Sequence, residues 1–171
     1  KLDILYLGIE TGNEELLKKI HKGATSAEII EGSRKAIEAG LRMSTFIILG
    51  LGGVEGSYAH AKDSAKVSNA IDPQFLATLT LMLGSYEEVY EKKLMGGNFT
   101  LLNKMESLQE LRWFIEDLEV TNAKFGSEHA SNYLPLRGTL PGDKEKILSL
   151  IDRALKDDRS GMLRPEWQRG L

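Results

Sequence analysis

The chain predicts an α/β fold built from at least three consecutive strand–helix units of a parallel sheet or barrel, with further helices toward its C-terminal end. Three observations carry this. Apolar, strand-like runs hand over to glycines at Gly12, Gly50 and Gly84, about 35 to 40 residues apart, which suits repeated βα units. Helical segments with capping signals fill the intervals, and parallel strands need such crossovers. The strand ends carry an acidic residue in Gly8-Ile9-Glu10-Thr11-Gly12 and a glycine-rich loop in Gly50-Leu51-Gly52-Gly53, at positions where α/β folds bind ligands.

Leu2 to Ile9 is an apolar, β-leaning run broken by Asp3 and Gly8, as expected of a strand buried on both faces. Asn13 caps a short helix over Glu14–Ile20, whose first-turn glutamates suit the helix dipole. Thr25 with Glu28 makes a capping box for a second helix that Gly40 ends, with Ile29, Ile30, Ser33, Ala36 and Ile37 on one face. Arg42–Leu49 reads as the next strand. Ser57 opens a helix with Tyr58, Ala61, Ala65 and Ser68 along a small-residue face, Asp72-Pro73 ends the connection, and Phe75–Leu83 is a third strand. Ser85 with Glu88 and Ser107 with Glu110 read as two more capping boxes, the second opening an amphipathic helix with Leu108, Leu111, Ile115 and Leu118 on one stripe. Phe125 to Thr139 reads as a long ordered loop or short strand. Asp143 caps a last helix bearing Ile147, Leu148, Ile151 and Leu155. Residues 1–156 form one domain without a sharp internal boundary, and 157–171 a charged, partly disordered tail.

At 171 residues and 42% hydrophobic composition the chain has enough apolar mass for one substantial core. A net charge of −3 without a lysine–arginine stripe gives no basic field for nucleic acid. No apolar run reaches membrane-spanning length and the N-terminus lacks the layout of a signal peptide, so the expected location is the cytoplasm. There is no cysteine, which removes disulfides and thiolate-held metals from these residues. A chain that enters a strand almost at once, without an initiator methionine, predicts a piece of a longer protein.

Glu10, where a parallel strand meets its loop, either accepts hydrogen bonds from ribose hydroxyls or an amino group, or caps or salt-bridges the next helix. Gly50, Gly52 and Gly53 either let a backbone approach a ligand closely or form a tight turn. The loop lacks the Gly-Lys-Ser/Thr of a phosphate loop and does not match GxGxxG. His21, His60 and His129 have no metal-ligand spacing. His129 and Asn132 lie in the polar-aromatic cluster Glu128-His129-Ala130-Ser131-Asn132-Tyr133, which either faces a substrate or satisfies its own hydrogen bonds. Trp113 reads as a helix packing residue and Trp167 as a tail residue.

Several segments taken in order resemble the radical S-adenosylmethionine (SAM) enzymes, in particular the Fe–S oxidoreductase type. They are Tyr6-Leu7-Gly8-Ile9-Glu10-Thr11-Gly12, Leu16-Leu17-Lys18-Lys19-Ile20-His21-Lys22-Gly23, and Ala39-Gly40-Leu41 running into Phe46-Ile47-Ile48-Leu49-Gly50-Leu51-Gly52-Gly53. Pro73 to Leu83 resembles the following barrel strand. Ser131-Asn132-Tyr133-Leu134-Pro135-Leu136 and Gly138-Thr139-Leu140-Pro141 resemble a C-terminal signature of the same subgroup. The resemblance implies a partial (β/α) barrel, with Leu2–Ile9, Arg42–Leu49 and Phe75–Leu83 as its fourth, fifth and sixth strands. It also implies SAM and a [4Fe–4S] cluster in the intact parent, whose activity is reductive cleavage of SAM to a 5′-deoxyadenosyl radical for oxidoreduction or group transfer. By the same resemblance Glu10 lies near the SAM ribose or methionine moiety, Thr11 and Gly12 line that turn, Ile48 and Gly50 lie against the adenine, and Leu81 and Met82 fall near the sixth-strand contact.

The chain departs from the family in two places. No CxxxCxxC is present, so the cluster-binding half belongs outside these residues, and Gly84-Ser85 stands where many relatives have Pro-Gly-Thr. The fragment is then inactive alone, contributes part of a SAM and small-molecule substrate pocket, and exposes a barrel edge that a second copy covers in a dimer or another element covers. Two other readings stay open: an unrelated barrel enzyme holding a phosphate-bearing ligand at Gly50–Gly53, and a non-catalytic binding or scaffold module.

Overall fold

A computed structural model describes residues 2–157 and 161–170. Five strands form one sheet in chain order: β1 (Ile4–Glu10), β2 (Arg42–Leu49), β3 (Phe75–Thr80), β4 (Ala123–Gly126) and β5 (Arg137–Leu140). β1 to β4 are parallel neighbours and β5 turns back antiparallel to β4. The fold is α/β, with crossover helices and C-terminal helices around a sheet that is open and compatible with part of a barrel. β1 forms one edge, and the ends of β1 and β2, with Glu10 and Gly50, lie on the same C-terminal side.

The helices follow from their caps. In α1 (Glu14–Lys19) the Asn13 side chain accepts from the Leu16 N–H at 3.1 Å, and α2 (Ser26–Glu38) carries the complete Thr25–Glu28 capping box. α3 (Gly53–Ile71) begins four residues before the expected Ser57, because the chain turns directly out of the glycine loop, and Ser57 lies buried within the helix. β3 ends at Thr80 rather than Leu83. The Ser85–Glu88 box does not form: a 3₁₀ turn at Gly84–Tyr86 leads into the single-turn α4 (Glu87–Val89) and a π-turn at Tyr90–Leu94, without a side-chain cap at Ser85. Nor does Ser107 cap α5 (Lys104–Glu116). Asn103 does so one turn earlier, accepting from the Met105 and Glu106 N–H groups while Glu106 returns a bond to the Asn103 N–H, which frees Glu110 for the interior. α6 (Lys144–Lys156) starts after Asp143 as expected, but that carboxylate accepts from the Thr139 N–H at 2.7 Å instead of a helix amide.

Alternation along the strands divides the sheet into two faces. Ile9, Met43, Ile47, Leu49 and Leu76 are buried, and all but Met43 join a core with Ala61 and Ala65 of α3, Leu108, Leu111, Phe114 and Ile115 of α5, and Ile147 and Ile151 of α6. Tyr58 falls off the small-residue face of α3: it is largely exposed and meets Trp113 edge-on at 5.1 Å. On the opposite face of the sheet Phe46, Ile48, Phe75 and Leu79 are only half-buried and Tyr6 is 71% exposed. A smaller cluster of Leu16, Leu51, Tyr90, Met95 and Phe99 sits at the C-terminal edge, where the 84–102 segment folds over the strand ends.

The segment expected as a loop or short strand from Phe125 to Thr139 supplies β4, β5 and the turn between them. Within the charged tail, residues 158–160 and 171 lie outside the described residues. Residues 161–170 dock on the 128–133 loop through Arg164 and Arg169 while Trp167 stays exposed.

The β1–α1 turn is locked to α3. Gly12 donates its N–H to Ser64 Oγ at 2.9 Å, and a Cβ at Gly12 would overlap the Asp63 carbonyl. Because that obstacle is helix backbone, Gly12→Ala should destabilise the chain by about 3 kcal/mol, the upper range for overpacking. Denaturant unfolding measures it, and an unchanged midpoint would show that α3 does not pack on this turn.

Candidate functional site

The C-terminal edge of the sheet gathers the chemistry. Between β1 and β2 the register slips: Gly8 pairs with Phe46 and Glu10 with Ile47, so Ile9 and Glu10 together stand opposite one residue. Glu10 has φ +65°, a left-handed conformation that costs a non-glycine residue about 1–3 kcal/mol and recurs at functional sites. Its carboxylate folds back over Gly8, where a Cβ would collide with Oε1 and come within 2.8 Å of the Phe46 ring. Lys22 reaches Glu10 Oε1 at 3.2 Å, carried there by a turn in which His21 has φ +55° and Gly23 +76°. Glu10 Oε2 is buried without a hydrogen-bond partner. A buried acceptor left unpaired costs about 1–3 kcal/mol, and more when charged, so this atom is suited to a donor brought by a ligand.

Thr11 and Gly12 belong to the floor of this site. Thr11 is fully buried and its hydroxyl accepts from the Asn13 N–H, while Gly12 is pressed on α3. Ile48 lies half-buried on the open face. Gly50 ends β2 with φ +87°, which glycine adopts without a Cβ clash, and its Cβ position lies 3.6 Å from Leu81 Cβ. Leu81 continues the β2–β3 pairing by donating its N–H to the Leu49 carbonyl at 2.9 Å. Glu10, Ile48, Gly50 and Leu81 therefore come together across three neighbouring strand ends.

The glycine loop is held from several sides. The Gly50 N–H donates to Glu110 Oε1 at 2.7 Å, the Gly53 N–H to the Gly50 carbonyl at 3.1 Å, and the Val54 N–H to the Thr100 carbonyl at 2.9 Å. The Tyr90 hydroxyl donates to the Leu51 carbonyl at 2.8 Å. These N–H groups are engaged and a carboxylate stands behind the first of them, an arrangement that opposes an anion rather than cradling one.

The 128–133 cluster joins the same edge beside β3. Ser131 Oγ accepts from the Thr80 N–H at 3.0 Å, and His129 Nδ1 accepts from the Ser131 N–H at 3.2 Å, so the neutral imidazole carries its proton on Nε2. Asn132 uses its whole amide inside the protein: Oδ1 accepts from the Thr80 hydroxyl, and Nδ2 donates to the Thr78 and Ser127 carbonyls. Its role is to hold the loop on β3. Arg164 donates to the carbonyls of Glu128, His129 and Asn132, and Arg169 to that of Ser131 while stacking 3.8 Å over the Tyr133 ring. Burial, opposed by the charge of Arg169, pushes the Tyr133 phenol up to about 12.

Sequence reasoning missed Lys22, Tyr90, Glu110 and Arg164. Glu110 left a trace, since it stands with Ser107 and Phe114 at helical spacing beside the apolar stripe. Nothing in the spacing singled out Lys22 or Arg164.

The open, mainly parallel α/β sheet, compatible with part of a barrel, thus carries a half-satisfied carboxylate and a constrained glycine loop at its C-terminal edge, the side on which α/β folds bind ligands. Residues 1–62 match the family model of the Radical SAM superfamily. That stretch holds β1, α1, α2, β2 and the glycine loop, and the match is consistent with a radical SAM fragment. No curated protein matches the chain. The family implies SAM and a [4Fe–4S] cluster in its intact members. The residues present fit SAM, through the unpaired Glu10 Oε2 beside Lys22. They do not fit the cluster: the sequence has no cysteine, and among the described residues no group of three or more His, Asp or Glu is placed to hold a metal. Among the described residues no helix is long and apolar enough to cross a membrane.

Tyr90 provides a test of the loop's restraint. Burial raises its phenol well above the usual tyrosine range. Below pH about 10 both folded and unfolded chains keep the proton and the contribution is fully present, whereas above it the unfolded chain ionises first and stability falls. Tyr90→Phe should flatten that alkaline decline and, by leaving the Leu51 carbonyl unpaired, cost about 1–3 kcal/mol at neutral pH. Denaturant midpoints from pH 7 to about 11.5 check both, and identical alkaline slopes would show that Tyr90 is not buried as described.

Proposed function

We propose that the chain is the C-terminal half of a radical SAM enzyme barrel of the Fe–S oxidoreductase type and contributes part of its SAM and substrate pocket. The observation that carries this is Glu10, whose buried Oε2 lacks a partner on the open edge while Lys22 holds its Oε1. An acceptor next to a cation is complementary to a zwitterion: Glu10 takes an ammonium or a ribose hydroxyl, and Lys22 faces a carboxylate. Ile48 and Leu81 offer apolar surface to the adenine, and the locked Gly50 backbone fixes their spacing. Thr11 and Gly12 hold the turn under the ligand. His129 presents an Nε2–H on a loop positioned by Asn132, suited to a polar group of the small-molecule substrate. In the intact parent the cluster and SAM supply radical chemistry for oxidoreduction or group transfer, and the residues of this chain bind and orient. The half-exposed sheet face and the β1 edge meet the cluster-binding half or a second copy.

The engaged Gly50 and Gly53 N–H groups and the Glu110 carboxylate behind the loop count against a phosphate ligand there, and no observation favours a scaffold without a ligand.

Three clustered cysteines encoded about a hundred residues upstream of Lys1 would fit strand-helix units of the length seen here, and an upstream region without them would sink the proposal. In the reconstituted parent, Glu10→Gln should weaken SAM binding about tenfold to hundredfold, the scale of losing a charge-assisted hydrogen bond of about 1.5–3 kcal/mol, with cluster absorbance intact. Gly8→Ala should act in the same direction by displacing the Glu10 carboxylate, at little cost to stability because both obstacles are movable side-chain ends. Calorimetric SAM titrations with denaturant midpoints check these. Unchanged affinity alongside a lowered midpoint would confine Glu10 to a structural role.

A further inference from the structure

Glu110 is the group that neither the pocket nor the core accounts for. It is fully buried on α5, between Leu108, Leu111 and Phe114, which are buried too. Removing a carboxylate from water is costly unless its oxygens are satisfied, and replacing such a group by an apolar one is often neutral or stabilising. Here both oxygens serve the junction of β2 and α3. Oε1 accepts from the Gly50 N–H at 2.7 Å and lies 2.9 Å from His60 Nδ1, and Oε2 accepts from the Ser57 hydroxyl. With Glu110 ionised, His60 donates through Nδ1, and its buried Nε2 is left without a partner. An apolar residue at 110 would remove the buried carboxylate but would leave the Gly50 N–H, the Ser57 hydroxyl and His60 Nδ1 without this partner, so what the carboxylate contributes is the junction it holds.

We infer that Glu110 is a positioning residue for the ligand-facing edge of β2. Its carboxylate fixes the direction of the Gly50 peptide, which leaves the strand in a left-handed conformation and would otherwise swing about that glycine. Through Gly50 it sets the path of Ile48 and Leu49, and through the Leu49 carbonyl, which accepts from Leu81, it sets the end of β3. Ser57 and His60 anchor the carboxylate to α3, so one side chain joins β2, α3 and α5 at a point behind the ligand. Its importance for SAM rests on the reading of this edge as the adenine face, whereas its hold on Gly50 does not.

The test uses the 171-residue chain with Glu110→Gln, Glu110→Met and the core control Leu111→Ala. By NMR the wild-type Gly50 amide should be strongly protected from exchange. In Glu110→Gln, which keeps an acceptor without the charge, the Gly50 proton should move upfield and exchange faster than in Leu111→Ala. In Glu110→Met the amide should lose protection by about tenfold to hundredfold beyond the control, the scale of a hydrogen bond to a charged group. A Gly50 proton that neither moves nor exchanges faster in Glu110→Gln overturns the inference, whether or not Glu110→Met folds. Titration with SAM separates the two claims. Binding weakened in Glu110→Gln but not in Leu111→Ala supports positioning, and equal binding in both overturns it. A wild-type chain that binds no SAM counts against the SAM reading, and Gly50 exchange alone then decides the inference.

Discussion

The C-terminal edge of the sheet depends on the slip of one residue between β1 and β2. A parallel pair in continuous register would place Glu10 opposite Ile48. With Ile9 and Glu10 both opposite Ile47, Ile9 completes the buried row facing the helices while the Glu10 carboxylate turns back over Gly8. Bulges commonly re-aim a side chain next to a functional site. Three sequence requirements follow from this one. Residue 8 has no room for a Cβ while Glu10 lies over it, residue 10 tolerates a positive φ, and residue 12 has to be glycine for the turn to close against α3. The Gly8-Ile9-Glu10-Thr11-Gly12 run is thus a geometric unit whose glycines serve different neighbours.

The edge is locally expensive and is held by the rest of the fold. Glu10 and His21 have left-handed backbones, Glu10 Oε2 and His60 Nε2 are buried without partners, and the Glu110 side chain is a fully buried polar group. Each feature opposes folding by about one to a few kcal/mol. The opposing weight comes from the face where α3, α5 and α6 cover the sheet, and fully burying one side chain such as Phe114, Ile115 or Ile151 contributes about 1.5–3 kcal/mol. Because the helices cover one face only, stability and site are spatially separate: the core lies behind the strands and the strained residues lie at their ends.

Much of this was legible from local chemistry. Strand–helix alternation, the parallel order and the Asn13 and Thr25 caps follow from patterns within a few residues, and so does the placing of Glu10 and Gly50 on one edge. What failed was choosing among overlapping local signals. Asn103-x-x-Glu106 and Ser107-x-x-Glu110 both have the spacing of a capping box, and only packing decides that the first caps and the second sends its glutamate inward. Asn132 read as a residue able to face a substrate, but the ends of β3 and β4 consume its amide. Lys22 and Arg164 were invisible because their partners are a bulged carboxylate and loop carbonyls, which no linear spacing encodes.

The two carboxylates at the edge show how hydrogen-bond bookkeeping separates roles that composition does not. Glu110 and Glu10 are the same residue type near the same strand ends, and each touches a nitrogen-bearing side chain. Glu110 has both oxygens engaged by groups fixed in the protein, at the end of β2 and on α3, with no exposure to solvent. A carboxylate so saturated has nothing left to offer a ligand, and what it does is hold geometry. Glu10 has one oxygen on a lysine from a turn and one on nothing, on the face the helices leave uncovered. An incomplete shell there calls for an external donor. The same division runs through the glycine loop, where a carboxylate stands behind the Gly50 amide. The Gly50 and Gly53 amides are bound within the protein, the first of them to Glu110, and apolar side chains flank the loop at the edge.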